Sequence, residues 1–171
     1  MQTMSLRMEM DRCDEYDEAS DEALSVTSGW KPRLILAEDD SDTRSLLACL
    51  LRWEGYEVLE ASDGVELLAR LEAATLDGTS IDAIVSDIKM PRLSGLDVLG
   101  AVGSEYWQTP FILITAHGTK KAYASARGLG ATAVLEKPVT ISRLDAVVRS
   151  ALAAGMTHWC ATGDTGKGCG A

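Results

Sequence analysis

Four apolar runs in this 171-residue chain lead directly into side chains that can do chemistry. "RLILA" (33–37) is followed by Glu38, Asp39 and Asp40, and "IDAIVS" (81–86) by Asp87. "PFILIT" (110–115) closes on Thr115, and "ATAVLE" (131–136) is followed by Lys137. Apolar runs are bound for an interior, and a carboxylate brought along with one needs a partner or a task. Carboxylates crowded together also repel, by about 4 kcal/mol per pair at 4 Å and an effective dielectric near 20. Two arrangements offset that repulsion. Lys137 can neutralise Asp87 in a salt-bridged rim, or the acids can share a hard cation. Mg2+ suits the second, since it takes oxygen ligands and is usually held by one or two carboxylates together with phosphate oxygens. Polar groups at the ends of four separate runs favour the cation.

The elements that must position these groups alternate in type. After "RLILA", the stretch "SDTRSLLACLLRWEG" carries Leu46, Leu47, Leu50 and Leu51 at helical spacing, with Gly55 as a stop. "YEVLEA" (56–61) alternates as a strand does, and "SDGVELLARLEAA" (62–74) is helical, with Ser62 as its cap. The run 81–86 is a third strand, followed by a helix over 94–102 weakened by glycine. A strand over 110–115, a helix over 119–130 and a strand over 131–136 come next. In the last helix Ile141, Leu144, Val148, Ala151 and Leu152 share one face, with Thr140 as start and Gly155 as stop. Five largely apolar strands alternating with five helices predict an α/β fold, a doubly wound parallel sheet with helices on both faces. Ligands of such sheets bind beyond the carboxyl ends of the strands, where strand order reverses. Glu38, Asp39, Asp87, Thr115 and Lys137 all fall on that rim.

Together "LILAEDDSDTR", "IVSDIKMPRLSGLDVL", "FILITA" and "EKP" resemble, over about residues 33–153, the receiver domain of two-component response regulators. The resemblance implies the flavodoxin-like strand order 2-1-3-4-5. It implies that Asp87 accepts a phosphoryl group from a histidine kinase or phosphotransfer protein. Glu38 and Asp39 match the acidic pair that holds Mg2+, and the backbone carbonyl of Lys89 a third metal contact. Thr115 matches the switch hydroxyl, Lys137 the lysine on the phosphoryl oxygens, and Lys137–Pro138 a bond usually cis. The residue chemistry agrees, because carboxylates are covalent phosphoryl acceptors and phosphoryl transfer is mainly positioning and charge neutralisation. Two positions depart from the pattern. Glu38 stands where Asp is frequent, and Val134 where an aromatic side chain usually reports the switch. Lys89 and His117 flank the expected phosphoryl position and are expected to tune its lifetime. Asp40 reads as a loop acid or helix cap.

Charge and composition narrow the remaining possibilities. The net charge of −10 is concentrated in residues 1–30, where eight acids face two arginines. Such acidity argues against direct nucleic-acid binding, and the first 30 residues read as a disordered or loosely helical arm. Residues 31–154 form the receiver, and 155–171 a flexible glycine-rich tail. No membrane-length apolar run or signal peptide is present, so a cytoplasmic protein is expected. "GDTGKG" in the tail lacks the glycine and hydroxyl that a phosphate loop requires. His158, Cys160 and Cys169 match no zinc spacing. Cys49 and Trp53 are expected to pack in the core, Cys49 as a small residue and Trp53 between helix and sheet. Tyr106–Trp107 is a loop anchor or contact surface. The resemblance implies that the last two helices and the fifth strand form the face used for homodimer or partner contacts, with Tyr123, Arg127 and Arg143 as candidates on it. The expected role is a phosphorylation-dependent switch without a DNA-binding output module, acting on an unknown protein target. Two competitors are weaker. Haloacid-dehalogenase phosphatases need an acid two residues after the nucleophile, where Lys89 stands, and a scaffold without phosphorylation has no need of the competent site positions.

Overall fold

The computed structural model describes residues 31–102, 108–116 and 118–162, with side chains described as far as Ala154. Five strands, β1 (Arg33–Ala37), β2 (Glu57–Ala61), β3 (Ala83–Asp87), β4 (Phe111–Thr115) and β5 (Ala133–Glu136), alternate with five helices. The helices are α1 (Ser41–Trp53), α2 (Gly64–Leu76), α3 (Gly95–Val102), α4 (Lys120–Gly128) and α5 (Ile141–Thr162). All strands are parallel in the order β2-β1-β3-β4-β5. The order reverses between β1 and β3, so the residues that follow those two strands flank the switch point.

Burial explains why the strands are apolar throughout. Every residue of β3 and β4 is buried, as expected for central strands covered on both faces. On one face Leu47, Ala48 and Leu51 of α1 and Leu144, Val148 and Ala151 of α5 pack over Leu34, Leu36, Val85 and Ile112. On the other, Leu67 and Leu71 of α2 and Val98 of α3 cover Ile35, Ile84 and Leu113. A second, polar clamp fastens α5 to the α1–β2 turn. The buried Tyr56 hydroxyl donates to Asp145 at 2.7 Å, and Arg149 lies 2.8 Å from the same carboxylate with its guanidinium 5.8 Å from the Tyr56 ring centroid.

Several local expectations are corrected. Asp63, not Ser62, caps α2: its carboxylate accepts from the backbone of Val65 and Glu66, while Ser62 donates to Glu66. An aspartate one residue along outcompetes the serine because its oxygen faces two orphan N–H groups of the first turn. Trp53 is 66% exposed. It stands two residues beyond Leu51, about 200° round the helix from the buried stripe. Cys49 is half-buried and disulfide-bonded, and the other three cysteines lie outside the described side chains. Helix α5 continues to Thr162, past Gly155. A helical glycine costs only about 1 kcal/mol, and no proline follows to stop the chain. The dimer-face candidates Tyr123, Arg127 and Arg143 are exposed, while Tyr106, Trp107 and His117 lie outside the described residues.

Candidate functional site

The local chain at each strand tip dictates what faces the rim. At the end of β1, Asp40 caps α1 by accepting from Thr43 N–H at 2.8 Å, which turns the preceding pair Glu38–Asp39 toward the sheet's edge. Arg44, one turn into α1, donates to the Glu38 carbonyl at 2.7 Å and leans on Glu60, bracing that turn from below. At the end of β3, the carboxylate of Asp87 accepts the Lys89 N–H at 2.9 Å. Gly95 is required behind it, since a Cβ there would collide with the Asp87 carbonyl. The loop from β3 to α3 is fastened from the other side. Arg92, in the left-handed region at φ 64°, forms an ion pair with the buried Asp63, and a side chain at Gly64 would strike Leu93. After β5, Lys137 donates its backbone N–H to the Thr115 carbonyl at 2.8 Å and enters a cis bond to Pro138.

These devices bring the acids together. One carboxylate oxygen from each of Glu38, Asp39 and Asp87 lies within 4.8 Å of the others, with Glu38 and Asp87 buried and Asp39 exposed. The Lys137 ammonium reaches Glu38 Oε2 at 2.7 Å and also pairs directly with Asp87 Oδ2. Thr115 is buried at the tip of β4, one residue past Ile114, the register partner of Asp87. The Lys89 side chain is exposed, and its backbone follows Asp87 around the rim. Thus the two readings of the rim coexist: Lys137 neutralises Asp87, and the acids still outnumber it three to one.

Electrostatics follow from this crowding. Burial pushes the Glu38 carboxyl above its ordinary range, the Lys137 ammonium pulls it back, and the charge on Asp87 pushes it up again. Burial works against the charge on Lys137, but hydrogen bonds to Asp87 and Glu38 prevail and hold its pKa above the usual lysine value. Three hard oxygen donors, short of compensating charge, fit Mg2+ by number and type. Residue types alone do not reveal the Arg92–Asp63 pair or the Arg44 brace. Both join residues whose partners are set by loop geometry, and neither spacing is periodic.

The sequence matches the family described as "Response regulator receiver domain" over residues 34–149. The chain belongs to this family. Among curated proteins, the receiver is 35% identical over 127 residues to "Transcriptional regulatory protein CpxR" of Escherichia coli (strain K12). That match covers 74% of this chain and 51% of the relative. It is 39% identical over 113 residues to "Transcriptional regulatory protein PdtaR" of Mycobacterium tuberculosis (strain ATCC 25618 / H37Rv), covering 66% and 52%. The chain therefore spans about half the length of the curated relatives it matches. Among solved structures, a receiver domain from Clostridium thermocellum superposes with a TM-score of 0.67 at 31% identity, covering 74% of this chain and 98% of that one. A CheY-like receiver from Methanospirillum hungatei JF-1, at 23% identity and TM-score 0.70 over 75% and 99%, shares the fold. Receiver domains serve phosphorylation-dependent signalling with histidine kinases or phosphotransfer proteins, bind Mg2+ at an acidic site, and are phosphoacceptors rather than conventional enzymes. Among the described residues, no helix is long and apolar enough to cross a membrane.

Proposed function

We propose that Asp87 is the phosphoacceptor of this receiver, and that its modification changes the protein's partners. The observation that carries the reading is the triad Glu38, Asp39 and Asp87 within 4.8 Å, with Lys137 bonded to two of its members. In the proposed reaction a carboxylate oxygen of Asp87 attacks phosphorus on a phosphohistidine. The P–N bond breaks, its electron pair leaves with the imidazole, and an acyl phosphate forms on Asp87. Catalysis is positioning and charge neutralisation. The Lys89 N–H holds one oxygen of Asp87 at 2.9 Å, and Lys137, already on the other, moves to the incoming phosphoryl oxygens. Glu38, Asp39, Asp87 and the Lys89 carbonyl would hold Mg2+, which supplies further neutralisation of phosphoryl charge when bound.

Thr115 then donates its hydroxyl to a phosphoryl oxygen, a contact that exists only in the modified state and so biases the β4–α4 loop. Val134 is half-buried against the α2–α3–α4 side of the core, so no aromatic rotamer at that position reports the change. The signal instead leaves through the face formed by α4, β5 and α5, where Tyr123, Arg127 and Arg143 are exposed to a partner or second copy. Incubating the protein with acetyl phosphate and Mg2+ and measuring intact mass tests the assignment. One added phosphoryl group is expected, lost in Asp87→Asn and without Mg2+. Undiminished modification of Asp87→Asn would refute it.

A further inference from the structure

Helix α4 is the least anchored helix of the fold. Ala126 is its only buried residue, against four in each of α2 and α3. The exposed side is basic: Lys120, Lys121 and Arg127 stand out from it, and the helix contains no acid. Among the described residues none of the three forms an ion pair, and neither do the scattered Lys31, Lys89 and Arg143, whereas Arg33, Arg44, Arg52, Arg70, Arg92, Lys137 and Arg149 all do. On the neighbouring edge strand, Leu135 belongs to the α1–α5 side of the core and Val134 to the opposite side. Glu136, two residues from Val134, is therefore the one acid that β5 turns toward α4. In a chain of net charge −10, a helix with three exposed bases, no acid and no ion pair among the described residues stands out.

The same chain carries the complement. Between Glu9 and Glu22 lie eight acids, Glu9, Asp11, Asp14, Glu15, Asp17, Glu18, Asp21 and Glu22, against Arg12 alone. We propose that this acidic segment docks on the basic face of α4 within the same molecule. Reach permits it. Glu22 is nine residues before Lys31, an extended span of about 30 Å. In the strand order β1 and β4 are two places apart, about 10 Å, and α4 lies one helix diameter, about 10 Å, above the sheet. Helix α4 runs back against the strands, so Arg127 lies toward the sheet end at which β1 begins. The attraction is between surface charges, so raised salt weakens it, the Debye length falling from about 8 Å at 0.15 M to about 3 Å at 1 M. The inference rests on charge and chain length and stands apart from the role proposed for Asp87.

Zero-length carbodiimide coupling of the full chain, read by peptide mass spectrometry, tests it, since the reagent joins only amines and carboxylates already in contact. Lys120 and Lys121 are expected to couple to acids of the 9–22 segment. The yield should not change over a tenfold protein dilution and should fall at least fivefold in 1 M salt. Arg127→Glu leaves both amines in place on an exposed position and should lower the same yield severalfold. A yield that rises with protein concentration would assign the contact to another copy's arm and overturn the proposal. Coupling confined to Glu136, or arm links to Lys31 and Lys89 as frequent as those to α4, would overturn it as well.

Discussion

Replacing Lys137 by methionine removes the one cation among the described residues that touches both Glu38 and Asp87, while keeping the length of the stem. Three carboxylates and one ammonium leave the wild-type cluster with two uncompensated negative charges, and the variant with three. Breaking a buried pair costs about 3–5 kcal/mol, but the Lys137 side chain is 27% exposed, so solvent recovers part of that and about 2 kcal/mol remains. For a domain of this size that corresponds to a fall in Tm of roughly 6–10 °C without metal. A divalent cation meets less competition for Glu38 and Asp87 once the ammonium is gone, so Mg2+ should bind the variant more tightly. A tenfold gain in affinity adds about 1.4 kcal/mol of stabilisation at saturating Mg2+, returning much of the lost Tm. Thermal unfolding of both proteins across a Mg2+ titration measures the two effects together. Phosphorylation by acetyl phosphate should be lost in the variant despite its tighter metal. If Lys137→Met melts with the wild type in the absence of Mg2+, or responds to Mg2+ no more than the wild type does, the charge account of this site is wrong.

Glu38→Gln should act in the opposite sense, raising metal-free stability by about 1 kcal/mol because burial already disfavours the Glu38 charge, while shrinking the Tm response to Mg2+; a lower metal-free Tm would contradict it. Asp63→Ala removes both the α2 cap and the partner of Arg92 and should cost about 2 kcal/mol, whereas Asp63→Ser keeps a capping oxygen and should recover about half, as measured by urea midpoints. Acid should destabilise the fold. Asp63, held low first by its bond to Arg92, and Glu66, held low first by the Ser62 N–H, have folded pKa values below their unfolded ones. Their contribution is complete above the unfolded carboxyl values near 4 and disappears as pH falls through the folded ones. Lys137, raised instead, contributes below its unfolded value and loses that contribution as pH rises through the folded one. Denaturant midpoints that stay level from pH 6 to pH 3 would rule out the acid arm.

How much of this was legible beforehand depends on the range of the interactions involved. All five strands and five helices were placed from periodicity, because a covered parallel strand leaves an unbroken apolar run and a surface helix leaves a stripe. Strand order was not in the pattern and came with the family likeness. The cluster Glu38, Asp39, Asp87 and Lys137 was accessible because each residue sits at the last position of a strand or within two residues after it, and parallel strands deliver their carboxyl ends to one rim. What escaped was short-range competition and loop geometry. Asp63 displaced Ser62 as a cap by one position, Trp53 fell on the helix face opposite the buried stripe, and Arg92 found Asp63 across 29 residues. Such choices are settled by distances of an ångström or two, below what residue type and spacing encode.

The rim also shows a conflict between stability and chemistry. Burying Glu38 to 2% exposure beside Asp87 raises the energy of the folded, metal-free protein, and an apolar pair there would fold better. The fold offsets the conflict only partly: one lysine serves two acids, and the Arg44 brace and the Arg92–Asp63 pair hold the loops from outside without adding charge to the centre. A structural role would be met by full neutralisation. Leaving the centre two charges short is what a site needs if a cation is to bind there and if Lys137 is to let go of Asp87 when a phosphoryl group arrives. The incomplete compensation is therefore the feature that a switch requires and a scaffold does not.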